Sequence, residues 1–325
     1  MVGKYLAVGM AIFAWAPSAP AFQPSTDTPN ITPRAKPRQA NTGAPAPLVR
    51  VDSSLVLISA HVTNAIGGTV TDLTREHFHL FENNIEQNIT YFAREDAPIS
   101  IGVLFDKSAS MKNKSLAAAQ SLDAFFRTAN LQDEFFLVEF NRRPRVTVPF
   151  TRETGRITDQ ILRTPPGGMT CLLDAMRLAL LEMKHAQYNR KALVIVSDGG
   201  DNWSRHNLRE IKGSLAEADL QVYAIGLFDS DYSRKSATEE RNGPQLLDDL
   251  AGNTGGRAFA VRDLTELPAV SARISEQLRN QYLLGYLAPG EGHDGKYHQV
   301  QLKIAAPEDL RFHVDYRRGY YAPDR

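Results

Sequence analysis

Apolar and polar positions alternate in two different ways along this chain, and the two ways occupy different regions. VDSSLVLISAHVT and FHLFENNIEQNITYF, between Leu48 and Phe92, mix β-branched and aromatic residues with partial two-residue alternation around the turn-like NAIGG. QYLLGYLA, KYHQVQLKI and RFHVDYRRGYY repeat that character at the end of the chain, with Pro-Gly-Glu-Gly and Ala-Pro-Glu-Asp as turns. Neither region holds enough strands for a stable sheet alone. Segments 48–95 and 282–325 are therefore expected to pair into one β-sandwich, with the middle of the chain inserted.

That middle, 98–281, reads differently. Uniformly apolar runs at ISIGVLF, EFFLVEF, KALVIVS and LQVYAIGLF alternate with helical spacing over 115–128, 172–187, 208–217, 245–250 and 264–279. Shorter runs, RVTVPF and RAFAV, complete the set. Strands apolar on both faces, separated by helices, predict a mostly parallel sheet covered on both sides. Right-handed crossovers make it doubly wound and Rossmann-like. The fold class is α/β with an additional β-sandwich.

The beginning of the chain matches neither pattern. Lys4, the apolar run Tyr5–Ala16 and Ala19-Pro20-Ala21 read as a secretory signal peptide over 1–21. About twelve apolar residues fall short of the roughly twenty that span a bilayer, and no later stretch is long enough either. Residues 22–47, rich in Pro, Thr, Ala and Asn, read as a disordered linker. Export to a periplasm or the exterior follows as an expectation. Cys171 is the only cysteine, so an intrachain disulfide is excluded and the core must hold the fold. Lys plus Arg and Asp plus Glu are 37 each, so charge offers no reason to expect a nucleic-acid partner.

Ligands of doubly wound sheets bind beyond the carboxyl ends of the strands, where the winding reverses. After ISIGVLF comes Asp106-Lys107-Ser108-Ala109-Ser110, and after KALVIVS comes Asp198-Gly199-Gly200-Asp201-Asn202. In the common strand order these two strands are neighbours. The loop TPPGGMT brings Thr170 to the mouth of the next helix. A solvated turn, a nucleophile or a set of metal ligands would each explain such a sequence. The donors Asp106, Ser108, Ser110, Thr170 and Asp198 are all hard oxygens, which suit Mg²⁺ or Mn²⁺ and not zinc or copper. Because hydroxyls add no charge, the ion would remain attractive to an outside acid.

Asp106-x-Ser108-x-Ser110, the GGMT loop and Ser197-Asp198-Gly199 together resemble the metal-ion-dependent adhesion site of von Willebrand factor type A domains. The resemblance covers about Pro98 to Gln281. It implies that Asp106, Ser108, Ser110 and Thr170 contact the metal directly or through water, that Asp198 is the second acid, often acting through water, and that a partner's carboxylate completes the shell. The flanking β-segments and the RRGYYAP ending also resemble exported bacterial VWFA-related proteins first defined in acidobacteria. A metal-dependent protein-binding module is therefore expected, against two alternatives: a structural envelope component whose metal only stabilises loops, and a Mg²⁺-dependent hydrolase. An aspartyl-phosphate enzyme usually carries a second acid where Ser108 stands. No GxSxG elbow, GxxxxGK[ST] or GxGxxG occurs at the relevant positions, so catalysis is not expected.

Several further positions carry expectations. Lys107 should point outward, Cys171 should be buried, and Asp201 and Asn202 should cap a turn. The polar loop Asp229–Gly243, on the rim of the site, should be solvated and could bear on partner choice, with Asp229-Ser230-Asp231 weighed as a second cation site. Strand alternation would put His77 and His79 on one face, a weak metal pair.

Overall fold

The computed structural model describes residues 55–95, 97–228, 242–288, 294–305 and 311–322. The leader over 1–21, the linker over 22–47, the Asp229-Ser230-Asp231 group and most of the Asp229–Gly243 loop lie outside the described residues. Four strands come first: β1 (Leu55–Asn64), β2 (Phe78–Glu82), β3 (Ile85–Gln87) and β4 (Ile89–Glu95). Then follow β5 (Ser100–Asp106), α1 (Ser115–Arg127), β6 (Glu134–Phe140), β7 (Arg145–Thr151), α2 (Thr154–Arg163) and α3 (Leu172–Glu182). The series continues with β8 (Lys191–Ser197), α4 (Leu208–Ala218), β9 (Gln221–Leu227), α5 (Gly243–Ala251), β10 (Ala258–Val261) and α6 (Leu267–Arg279). β11 (Gln281–Leu287), β12 (Tyr297–Ile304), β13 (Phe312–Tyr316) and β14 (Gly319–Tyr321) close the described chain.

The central sheet has the order β10-β9-β8-β5-β6-β7, parallel except for β7. β5 explains why such strands read as unbroken apolar runs. Ile101, Val103 and Phe105 pack on the face covered by α1 and α6, through Leu122, Phe125, Ile274 and Leu278. Leu104 packs on the other face with Met176 of α3, Ile211 of α4 and Leu247 of α5. Neither face meets water, so polar alternation has no place there. Gly102 occurs in β5 because the Phe136 ring crosses it: a β-carbon there would lie 2.3 Å from that ring.

The two ends of the chain form the sandwich. One sheet is β13-β1-β11-β4 and the other β14-β12-β2-β3. Ile58, Ala60 and Val62 of β1 and Tyr282, Leu284 and Tyr286 of β11 face Leu80, Val300 and Leu302 across the core. Gln281 pairs with Glu95, so the inserted α/β unit leaves and rejoins the sandwich on adjacent strands. The β2–β3 hairpin turns on Asn83 and Asn84, both at positive φ (48° and 67°). Asparagine tolerates that region, and two such residues match the twist of a tight hairpin.

Two sequence expectations differ from the structure. α2 has no counterpart in the apolar pattern, because only Ile157 and Ile161 of its ten residues are buried. Burying those two side chains contributes roughly 2 kcal/mol each, enough to dock a helix whose remaining surface is polar. His77 and His79 do not lie in one strand. His77 belongs to a 3-10 turn, where its Nδ1 accepts from the Thr74 backbone, whereas His79 lies in β2 against Glu86 at 2.7 Å.

Candidate functional site

β5 ends on a fully buried aspartate. Asp106 Oδ1 accepts the Ser108 backbone N–H at 2.7 Å, and Oδ2 accepts the Ser197 hydroxyl at 2.6 Å. The second bond exists because β5 and β8 run side by side, with Phe105 opposite Val196. The chain then makes a short 3-10 turn over Ala109–Met111, which brings the hydroxyl oxygens of Ser108 and Ser110 to 3.0 Å. Alternate side chains in this loop therefore turn to one side. Ser108 is buried and Ser110 exposed, so the cluster opens to solvent at Ser110.

The Thr170 loop is stitched to this turn by backbone bonds. Ala109 N donates to Gly168 O at 3.1 Å and Gly167 N to Lys107 O at 2.7 Å. Gly168 has φ +93°, a backbone that glycine adopts without cost. Thr170 is buried and held from the far side. Its N–H donates to Asn202 Oδ1 at 2.9 Å, and its carbonyl accepts from Asn202 N and Trp203 N. Asp198, also buried, follows β8 directly. Gly199 then turns the chain at φ +77°, where a β-carbon would meet the Gly243 carbonyl oxygen at 2.5 Å.

Burial, and then the neighbouring Asp198, push the Asp106 carboxyl up to about 7. Hydrogen bonds from Ser197 and Ser108 pull the other way and do not prevail. Two buried acids thus lie close enough to disfavour each other's charge, a cost of the kind a bound cation relieves. Two carboxylates with three hydroxyls make a donor set of the kind a hard divalent ion takes, with water completing its shell. Among the described residues no group of three His, Cys, Asp or Glu side chains suits a metal ion, so hydroxyls are indispensable to any site at this cleft.

Lys107 departs from its expected outward position. It is 2% exposed, and its Nζ donates to Ile161 O at 2.8 Å. Ile161 lies in the last turn of α2, where carbonyls lack intrahelical partners and the helix dipole favours a cation. The lysine thus points into the protein, away from the oxygen cluster. Cys171 is buried as expected, and burial, assisted by Asp174, Asp201 and Asp106, pushes its thiol up to about 12. Asp201 caps α3 through the Leu172 backbone and accepts the Ser204 hydroxyl at 2.7 Å. Asn202 caps nothing; its amide clamps Thr170. Sequence reasoning also gave Ser197 no part of its own. Its only signal was its place beside Asp198 at the end of an apolar run.

Residues 101–200 match the family model of the von Willebrand factor type A domain. The chain carries a von Willebrand factor type A domain. Asp106, the Thr170 loop and β8 all fall inside the matched residues. An uncharacterized protein of Borreliella burgdorferi is 23% identical over 168 residues, 47% of this chain and 49% of that protein. The chain therefore spans about half the length of the curated relative it matches. Among solved structures, a von Willebrand factor type A protein from Catenulispora acidiphila is 12% identical, with a TM-score of 0.47, and covers 74% of this chain and 73% of its own. The vWF domain of the type V pili tip protein Mfa5 from Porphyromonas gingivalis is 12% identical, with a TM-score of 0.44 over 56% of this chain and 95% of that one. Proximal thread matrix protein 1 of the mussel byssus, with a zinc-occupied MIDAS motif, is 15% identical, with a TM-score of 0.47 over 61% and 49%.

Proposed function

We propose that this type A domain is an exported protein-binding module that captures an acidic group of a protein partner through Mg²⁺ or Mn²⁺. Asp106, Ser108, Ser110, Thr170 and Asp198 are the residues that would hold the ion. When bound, it supplies a coordination position for an outside carboxylate. The chain's own residues do the rest. Ser197 and the Ser108 N–H orient Asp106, the Asn202 amide fixes Thr170, and the Gly199 turn fixes Asp198. The observation that carries this reading is the cleft's composition: two buried acids, one of them displaced to about 7, beside two touching serine hydroxyls. Export rests on the leader-like pattern of 1–21. No helix among the described residues is long and apolar enough to cross a membrane.

Isothermal calorimetry with Mg²⁺ and Mn²⁺, followed by capture from an envelope extract with Mg²⁺ or chelator, tests the proposal. Heat on titration, lost in Asp106→Ala, and partners recovered only with the metal are the expected results. The same partners recovered with chelator would support the structural-component reading, in which the ion merely steadies loops.

A further inference from the structure

Beyond the metal, the rim of this cleft has a chemistry of its own. The acids nearest the rim are engaged with the protein. Asp174 Oδ1 accepts from the Arg205 and His206 backbones and lies 2.8 Å from His206 Nδ1, and Asp201 caps α3. The rim's basic side chains are not so engaged. Exposed Arg142, Arg143 and Lys112 make no side-chain hydrogen bond or ion pair among the described residues. Arg142 is nevertheless held in place. The Asn141 side chain donates to Gly167 O at 3.0 Å and accepts the Arg142 N–H at 2.7 Å, which fixes the β6–β7 turn against the Thr170 loop. The Arg142 side chain then lies across Gly168: a β-carbon on that glycine would be 3.2 Å from its Cγ and 3.6 Å from its Nε.

Trp203, in the connection between β8 and α4, is bonded to the same loop. Its backbone N–H donates to Thr170 O at 3.0 Å, yet 55% of the residue is exposed. A tryptophan tethered beside a buried threonine, with most of its surface in water, is the kind of anchor that interfaces favour. Resting on the metal reading, we propose that Arg142 and Trp203 flank the Thr170 loop as a two-part reader. The reader selects an acidic peptide segment that carries a second carboxylate for Arg142 and an aromatic or large apolar side chain for Trp203, next to the carboxylate that seeks the metal. A planar guanidinium across a glycine offers paired donors to a carboxylate. The indole offers a rigid apolar face at small entropic cost.

The test uses the full chain with Mg²⁺ and four fluorescent peptides on one Gly/Ser scaffold. One has a single Asp, one adds a nearby Glu, one adds a nearby Phe, and one adds both. Anisotropy should show affinity rising roughly tenfold with each addition. Arg142→Gln should erase the gain from Glu alone, Trp203→Ala the gain from Phe alone, and both variants should keep their response to chelator. Equal metal-dependent affinity for all four peptides would overturn the reader while leaving the metal reading intact. Peptide preferences that persist in chelator and in Asp106→Ala would overturn the metal reading instead. Failure of every peptide to bind would overturn both.

Discussion

The buried Asp106, raised by burial and by neighbouring Asp198, should make stability in chelator depend on pH. Asp106 is raised from 3.8 to about 7, so its contribution to stability is fully present below pH 3.8 and is lost as pH rises through about 7. Thermal melts in chelator should therefore fall across that window. Asp106→Asn should flatten the fall, and Mg²⁺ should restore stability at neutral pH only in the wild type. A Tm independent of pH from 4 to 7 in both proteins (the window set by ordinary and displaced carboxyl values) would contradict the assignment. Cys171 offers a separate check. A buried thiol at about 12 is neither ionised nor accessible at neutral pH, so maleimide should label it only after unfolding. Labelling of the native chain would show that the start of α3 opens readily.

At the scale of elements, the turns around the cleft matter more than the strands that lead to it. Gly199 combines positive φ with a carbonyl oxygen in the place of its missing β-carbon. Gly199→Ala must therefore move either the loop after β8 or the start of α5, at a cost of at least ~2 kcal/mol. Chemical denaturation measures the loss, and metal affinity should fall with it. Gly155, in the first turn of α2, has nothing within 4 Å of a would-be β-carbon. Gly155→Ala should raise stability by roughly 0.5–1 kcal/mol, as expected where glycine costs entropy without relieving a clash. The opposite signs at two glycines test whether local geometry, and not glycine content, controls this loop system. α2 also shows why apolar spacing missed an element. Two buried isoleucines one turn apart are too few to stand out in sequence, yet they suffice once β7 and α1 present a surface to them.

For the whole molecule, the sandwich that joins the chain's two ends carries its own titrating cluster. His298 of β12 bonds Glu82 of β2 through Nδ1 at 2.5 Å and Asp294 through Nε2 at 3.0 Å, while its ring stacks on Tyr320 of β14. Burial alone works against the charged ring, but hydrogen bonds and charges from Asp294 and Glu82 outweigh it and hold the imidazole above 6.5. With a raised pKa, the contribution is fully present below pH 6.5 and fades as pH climbs through the folded-state value. His298→Gln should cost roughly 3 kcal/mol at pH 6, because it leaves buried Glu82 without its cation, and the deficit should shrink at alkaline pH. Denaturation curves at several pH values measure it; a pH-independent deficit would mean that the ring contributes packing and not charge.

Apart from α2, the sequence by itself determined which of the described stretches of the α/β unit become strands and helices, because burial on both faces and helical periodicity are written directly into the order of residues. It also placed oxygen donors just after the strands that carry them. The usual order of doubly wound sheets even made β5 and β8 expected neighbours, as they are, but the sequence could not determine which side chains meet across loops, since that depends on loop paths and on helices covering a shared surface. The tertiary structure decided that Ser197 holds Asp106 and that Asn202 reaches back to clamp Thr170. It also decided that Lys107 leaves the cleft for a carbonyl at the end of α2. Each of these contacts joins residues far apart in the chain through one side-chain hydrogen bond, and one such bond leaves no period in a sequence.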